Sequence, residues 1–135
     1  MIRHTGEYDL ERATEGSAGF DLHSTDEFPI KPASVVSVGT GVRVAIPEGH
    51  VGLLFVRSSL GARGITLANS VGVIDSDYRG EIRVLLANIS NSWKKVQEGE
   101  RIAQLVVVPF VADAQRVETL DDTVRGDGGF GSTGV

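Results

Sequence analysis

The sequence predicts an all-β single domain, a sandwich or a barrel. Three observations carry that prediction. Apolar and polar residues alternate over short runs, and no long segment repeats with the 3.6-residue period of a helix. Glycine and proline, 17 and 4 of 135 residues, break the chain at short intervals. The composition, 41% hydrophobic and 23% charged, is that of an ordinary globular domain with a sizeable core. Many short strands joined by glycine- and proline-rich turns suit two packed sheets or one closed sheet.

Residues 1–17 are polar and read as an irregular lead-in. Ala18–Ser24 alternates, with Phe20 and Leu22 on one face and Asp21 and His23 on the other, which is a strand. Pro29 and Pro32 bracket a loop. Ser34–Ile46 is valine-rich and extended, with a bend or bulge at Gly39 and Gly41. Pro47–His50 is a turn and Val51–Arg57 a strand. Ser58–Arg63 is the only helical segment, about one turn long. Gly64–Asn69 is extended again. Asn69–Asn88 reads as a hairpin, with Asp75–Gly80 as its polar connection. Asn88–Glu100 is a polar connection containing Trp93. Arg101–Phe110 is a nearly continuous apolar strand, and Gln115–Leu120 is a last one. Residues 125–134 include five glycines and cannot hold a fixed fold alone. There is no internal repeat.

The formal net charge of −5 argues against binding along a basic nucleic-acid face, but not against one phosphorylated small molecule. The chain has no cysteine, so disulfides and thiolate metal sites are excluded. No apolar run approaches the roughly 20 residues of a membrane span. The first residues lack the apolar core of a signal peptide, so an intracellular, cytoplasmic protein is expected, in the host cytoplasm if the source is viral.

Three places have the residue types of a reactive site. In Asp75-Ser-Asp-Tyr-Arg-Gly80 an acid, an aromatic and an arginine fall within five positions of an otherwise apolar segment. They could supply a base for a water, a flat wall and a cation for an anion. Asp and Gly are also ordinary turn residues, so the run alone does not separate turn from site. Arg57-Ser58-Ser59 leaves a strand and opens the short helix, where hydroxyls and a guanidinium favour a phosphate. Taken alone, either serine could instead be an N-cap. The tail Arg125–Gly134 combines backbone N–H groups with Arg125, Ser132, Thr133 and an isolated Phe130, which can stack on a flat base. Composition alone would also allow a disordered tail. Asp21 reads as a buried structural acid or a partner of a metal's water shell. Gln104 sits in an apolar strand and needs a polar partner. The three histidines show no metal spacing, so a catalytic zinc site is not expected.

Five blocks resemble, in order, the five motifs of the trimeric deoxyuridine triphosphatases (dUTPases). They are Ala18–Ser24, Val56–Gly64, Gly72–Gly80, Gly99–Pro109 and Arg125–Gly134. Phe20 stands where tyrosine is frequent and Ser59 where glycine is also common. The resemblance implies a distorted jelly-roll (β-clip) domain over 1–124 with one short helix, and a mobile glycine-rich arm over 125–135. It implies a homotrimer with sites shared between subunits, and hydrolysis of dUTP to dUMP and pyrophosphate with Mg²⁺. By the same resemblance Asp75 activates the water, Tyr78 packs under the deoxyribose and Asn69 reads uracil. Gly72, Val73 and Ile74 surround base and sugar, and Arg83 lies near the nucleotide. Arg57, Ser58, Ser59 and Gln104 contact phosphates. Arg125, Phe130, Gly131, Ser132 and Thr133 close over the substrate. Asp21 touches the metal only through water, the ion being held mainly by the phosphates.

Two other readings stand beside this one. The dCTP deaminases share the fold, but use a glutamate on the strand after the central turn, where this chain has Leu85, which cannot shuttle protons. A catalytically silent jelly-roll binding protein has no physical need for Asp75, Tyr78, Arg125 and Phe130 together.

Overall fold

The computed structural model describes residues 1–134. Its strands are β1 (Arg3–Gly6), β2 (Phe20–His23), β3 (Phe28–Ile30), β4 (Val35–Gly39), β5 (Val42–Ala45), β6 (His50–Val56), β7 (Ile65–Leu67), β8 (Gly72–Ile74), β9 (Arg83–Asn88), β10 (Lys94–Val96) and β11 (Arg101–Pro109). The helix α1 (Ser58–Ala62) lies between β6 and β7. The strands form a four-stranded sheet, β2-β11-β6-β8, a three-stranded sheet, β4-β9-β7, and two ribbons, β1-β5 and β10-β3. Every paired neighbour is antiparallel.

Alternation decides which side chains enter the core. Val42 and Val44 of β5, and Val84 and Leu86 of β9, are buried, and the residues between them are exposed or half-buried. β11 departs from this pattern: Ile102 and Ala103 are consecutive and both fully buried. The β2–β11 register shifts between Arg101 and Ala103, and such an irregularity turns two successive side chains inward. Leu60 anchors the short helix to the same core.

Five expectations are corrected. The lead-in contains β1, which pairs with β5, and the Pro29–Pro32 region contains β3. The polar connection after Asn88 contains β10, whose pairing with β3 is invisible in three residues of sequence. The central hairpin is not a hairpin. β8 pairs with β6 and β9 with β4 and β7, so the two strands part into different sheets after the Asp75 turn. Gln115–Leu120 is not a strand: residues 111–127 are all exposed and join no ladder among the described residues.

One buried network sets the path out of the Asp75 turn. The hydroxyl of fully buried Thr40 donates to the Ile82 carbonyl at 2.6 Å and accepts from the Val42 N–H at 3.3 Å. The Ile82 N–H donates back to the Val42 carbonyl at 2.8 Å. Between β4 and β5 the chain reverses at Gly41, whose φ of 67° falls in the left-handed region that glycine accepts without strain. The Gly41 N–H donates to the Glu81 carboxylate at 2.9 Å. Thr40→Val keeps the shape and strands the buried Ile82 carbonyl. It should lower unfolding stability in urea by about 1–3 kcal/mol. A loss below about 0.5 kcal/mol, the range of surface substitutions, would contradict this role.

Candidate active site

The candidate residues form two groups, one where β6 runs into α1 and one along β8 and the turn after it, and the arm joins neither. The first cluster sits where β6 runs into α1. Arg57 is the N-cap residue, and no side chain makes a capping bond. Ser58 and Ser59 therefore do not spend their hydroxyls on capping, and both are exposed. Asp21 is 8% exposed and lies between two guanidinium groups, Arg57 Nε at 3.4 Å and Arg101 Nη1 at 3.5 Å. Engaging Arg57 through Nε leaves its two terminal nitrogens as a fork for an anion. Gln104 faces Asp21 across the β2–β11 ladder and Phe55 across the β11–β6 ladder. Its amide fills the space beside Gly19, where a side-chain carbon would come within 2.5 Å of Oε1.

His23 belongs to the same neighbourhood. It stacks on Tyr8 with ring centroids 4.7 Å apart, and its Nδ1 is buried without a partner. Burial lowers its pKa below the ordinary histidine value. Asp21 and Glu11 oppose that shift, and Arg101 and Arg57 add to it.

The second cluster follows β8. The Tyr78 N–H donates to the Asp75 carbonyl at 3.1 Å, and Arg79 Nη1 donates to the Ser76 carbonyl at 2.7 Å. From β5, Arg43 Nη1 donates to the Arg79 carbonyl at 3.0 Å. These bonds shape the turn and leave the Asp75 carboxylate exposed, with no ion pair or side-chain hydrogen bond among the described residues. β8 is an edge strand, paired only with β6. Because β9 leaves for the other sheet, the outer N–H and C=O groups of β8 face a slot. That cavity, about 230 Å³, is lined by Val73, Ile74, Asp75, Tyr78, Glu81 and Arg83. A second depression of about 550 Å³ borders Asp75 on its other side, between His50, Val73 and Phe110. Asn69, exposed, closes the bend that leads into β8, where the Val71 N–H donates to its carbonyl at 2.7 Å.

Asp75 and Arg57 do not meet within one chain. Gly52 faces Ile74, which sets Val51 level with Asp75. Arg57 lies six residues further along the extended chain, about 20 Å away at strand spacing. The arm residues Arg125 to Thr133 form a succession of turns whose hydrogen bonds, among the described residues, run within residues 123–134. Phe130 is fully exposed. The last residue of the expected arm, Val135, lies outside the described residues.

Sequence reasoning missed Arg101 and Glu81. Arg101 becomes visible only through the β2–β11 pairing that carries it to Asp21. Glu81 had a weak signal, because Glu81 and Arg83 are two apart and share a face; their side chains pair at 3.4 Å.

The family model for dUTPase matches residues 8–134 of the chain. The deoxyuridine 5'-triphosphate nucleotidohydrolase of Corynebacterium glutamicum is 50% identical over 127 residues, covering 92% of this chain and 85% of that protein. The protein of the same name from Cutibacterium acnes is 51% identical over 126 residues, covering 91% and 83%. Among solved structures, the Staphylococcus bacteriophage 80alpha dUTPase with dUPNHPP matches with a TM-score of 0.91 at 28% identity, over 100% of this chain and 99% of that one. The match bears out the jelly-roll type of fold.

The lowered pKa of His23 fixes the sign of one pH effect. The unfolded chain takes up this proton first, so its contribution to stability is complete above about pH 6.5 and is lost as pH falls toward the lower folded value. His23→Phe keeps a ring on Tyr8 and removes the titration. Between about pH 7.5 and about pH 5.5 the melting temperature of the wild type should fall more steeply than that of the variant. Parallel slopes would contradict the assignment.

Proposed function

The chain belongs to the dUTPase family, and from that premise we propose that it hydrolyses dUTP to dUMP and pyrophosphate in sites shared between the subunits of a homotrimer. The observation that carries this reading is an unencumbered carboxylate, Asp75, at the mouth of the slot along the unpaired edge of β8. A pyrimidine edge entering that slot meets backbone donors and acceptors of Val73 and Ile74, with the Asn69 amide at its end. Reading a base this way rejects cytosine strongly, because the wrong edge leaves buried polar groups unpaired. Tyr78 forms the wall for the sugar, and Arg83 adds positive charge at the slot.

Asp75 holds a water and takes its proton as the water oxygen attacks the α-phosphorus. The bond from that phosphorus to the α,β-bridging oxygen breaks, and pyrophosphate leaves. Arg57, with Ser58, Ser59 and Gln104, grips the phosphates and stabilises the charge that builds on the leaving group. The first cluster fits Mg²⁺ in an outer role only. Both Asp21 carboxylate oxygens face arginines, and no group of three metal-ligating side chains gathers among the described residues. Asp21 would reach a magnesium ion through water, with substrate oxygens as the direct ligands. When bound, Mg²⁺ supplies charge withdrawal at the phosphates.

The separation of about 20 Å between Asp75 and Arg57 supports the shared site, because the phosphates that Arg57 grips adjoin the α-phosphorus attacked by the water on Asp75. The slot of one subunit is completed by the phosphate cluster of a neighbour. The exposed segment also supports assembly. Val111, Val117, Leu120 and Val124 are all solvent-exposed on a single chain. Fourteen residues, 111–124, can span about 45 Å when extended, enough to cross onto a neighbour. The arm then closes over a site whose Asp75 belongs to another subunit, with Phe130 on the base and Arg125, Gly131, Ser132 and Thr133 on the phosphates. The proposed substrate is a small, highly charged nucleotide, and no helix among the described residues is long and apolar enough to cross a membrane. We place the activity in the cytoplasm, without a nucleic-acid partner.

Pyrophosphate release tests the proposal. Wild type should cleave dUTP at least about 10³-fold more efficiently than dCTP, the scale of buried hydrogen-bond readout. Asp75→Asn should lower kcat by about 10² or more while leaving nucleotide binding largely intact. Comparable turnover of dCTP, ammonia release from it, or a near-normal kcat in Asp75→Asn would contradict the reading.

A further inference from the structure

The Tyr78 ring is held from behind at two points. Its hydroxyl donates to the Glu81 carbonyl at 2.9 Å. The ring also lies against the Cα of Gly80. A methyl group built on Gly80 would fall 2.3 Å from the tyrosine oxygen, 2.5 Å from Cζ and 2.8 Å from Cε1, all inside van der Waals contact. Gly80 does not adopt a positive φ, so its backbone could carry a side chain without strain. What this position cannot accommodate is any side chain while the ring keeps its pose. The support behind it is fixed in turn. The Glu81 carboxylate accepts the Gly41 N–H and pairs with Arg83, and Ile82 is pinned to the β4–β5 bend through Thr40.

We propose that Gly80 and the Glu81 carbonyl are positioning groups that set the pose of Tyr78, and through it the selection of deoxyribose over ribose. The inference rests on the reading of Tyr78 as the sugar wall. A wall excludes one extra hydroxyl only if it cannot retreat by the radius of an oxygen atom. A tyrosine on a turn has two free side-chain torsions, and free rotation would let it retreat. The hydroxyl bond at the far end and the contact along the flank stop both torsions. The absent side chain at Gly80 is thus a specificity determinant, although Gly80 itself need not touch the substrate.

The test measures kcat/KM for dUTP and UTP in wild type, Gly80→Ala, Tyr78→Phe, Tyr78→Ala and the double variant Gly80→Ala/Tyr78→Ala, with melting temperatures for each. Gly80→Ala should lower the dUTP-to-UTP ratio by about tenfold, the scale of one misplaced contact in a pocket. Tyr78→Phe frees one of the two restraints and should lower it less. In the Tyr78→Ala background the added methyl has no ring to strike, so the ratio of the double variant should equal that of Tyr78→Ala. If Gly80→Ala fails to fold, Tyr78→Ala should restore folding, because the ring is the group displaced. Failure of that rescue would overturn the proposal. A folded Gly80→Ala with an unchanged ratio, while Tyr78→Ala lowers it, would overturn the proposal and leave the sugar-wall reading standing. An unchanged ratio in Tyr78→Ala would remove both.

Discussion

The register between β6 and its two neighbours is the constraint on which the rest of the structure depends. Pairing along β11 holds β6 over its whole length, and three residue pairs hold β8 against its middle. Slipping either ladder by one residue would turn every side chain to the opposite face. In the observed register Leu54, Ile102 and Leu105 reach the core, Asp21 meets Arg57 and Arg101, and Asp75 leaves the sheet level with Val51. The same register keeps Asp75 and Arg57 about 20 Å apart.

A second consequence is the parting of β8 from β9. Two adjacent strands joined by a short turn would ordinarily satisfy each other's backbone groups. Here the second strand is drawn away by its pairing with β4 and β7, and by the bonds that tie Glu81 and Ile82, as the chain leaves the turn, to Gly41 and Thr40. The unpaired edge of β8 would be a liability on an exposed sheet. Beside Asp75 and Tyr78 it is a row of donors and acceptors of fixed geometry. Preorganised groups of this kind read a base without the entropy cost of ordering flexible side chains. In the proposed function, stability invested in the β4–β5 bend is expressed as selectivity in the slot.

The sequence made local features legible and left pairings hidden. The Asp75–Gly80 turn, the short helix after Arg57 and the bend at Gly41 each depend on residues within a few positions, and all three stand where the composition places them. β1, β3 and β10 are three or four residues long with ordinary polarity, so only their partners make them strands. Gln115–Leu120, read as a last strand, has residues able to extend but no partner to pair with among the described residues. The Asn69–Asn88 segment had the right strands and the wrong partner, because nearness in sequence favoured a hairpin that the sheets do not form. Arg101 and Glu81 were missed for the same reason: each matters through a residue far away in the chain. The candidate residues were proposed from the five motifs, but the separation of Asp75 from Arg57 along β6 was not legible.

That separation is the central claim, and mixed trimers test it most directly. Asp75→Asn has an intact phosphate cluster, and Arg57→Ala has an intact slot. Each homotrimer alone should be nearly inactive. Refolded together in equal amounts, three of every four trimers are mixed, and each mixed trimer of cyclic symmetry holds one site with both an intact Asp75 and an intact Arg57. Activity should return to about a quarter of wild type. Verified mixed trimers that stay at the level of the parents would contradict the account, because they would place both residues of each working site on one chain.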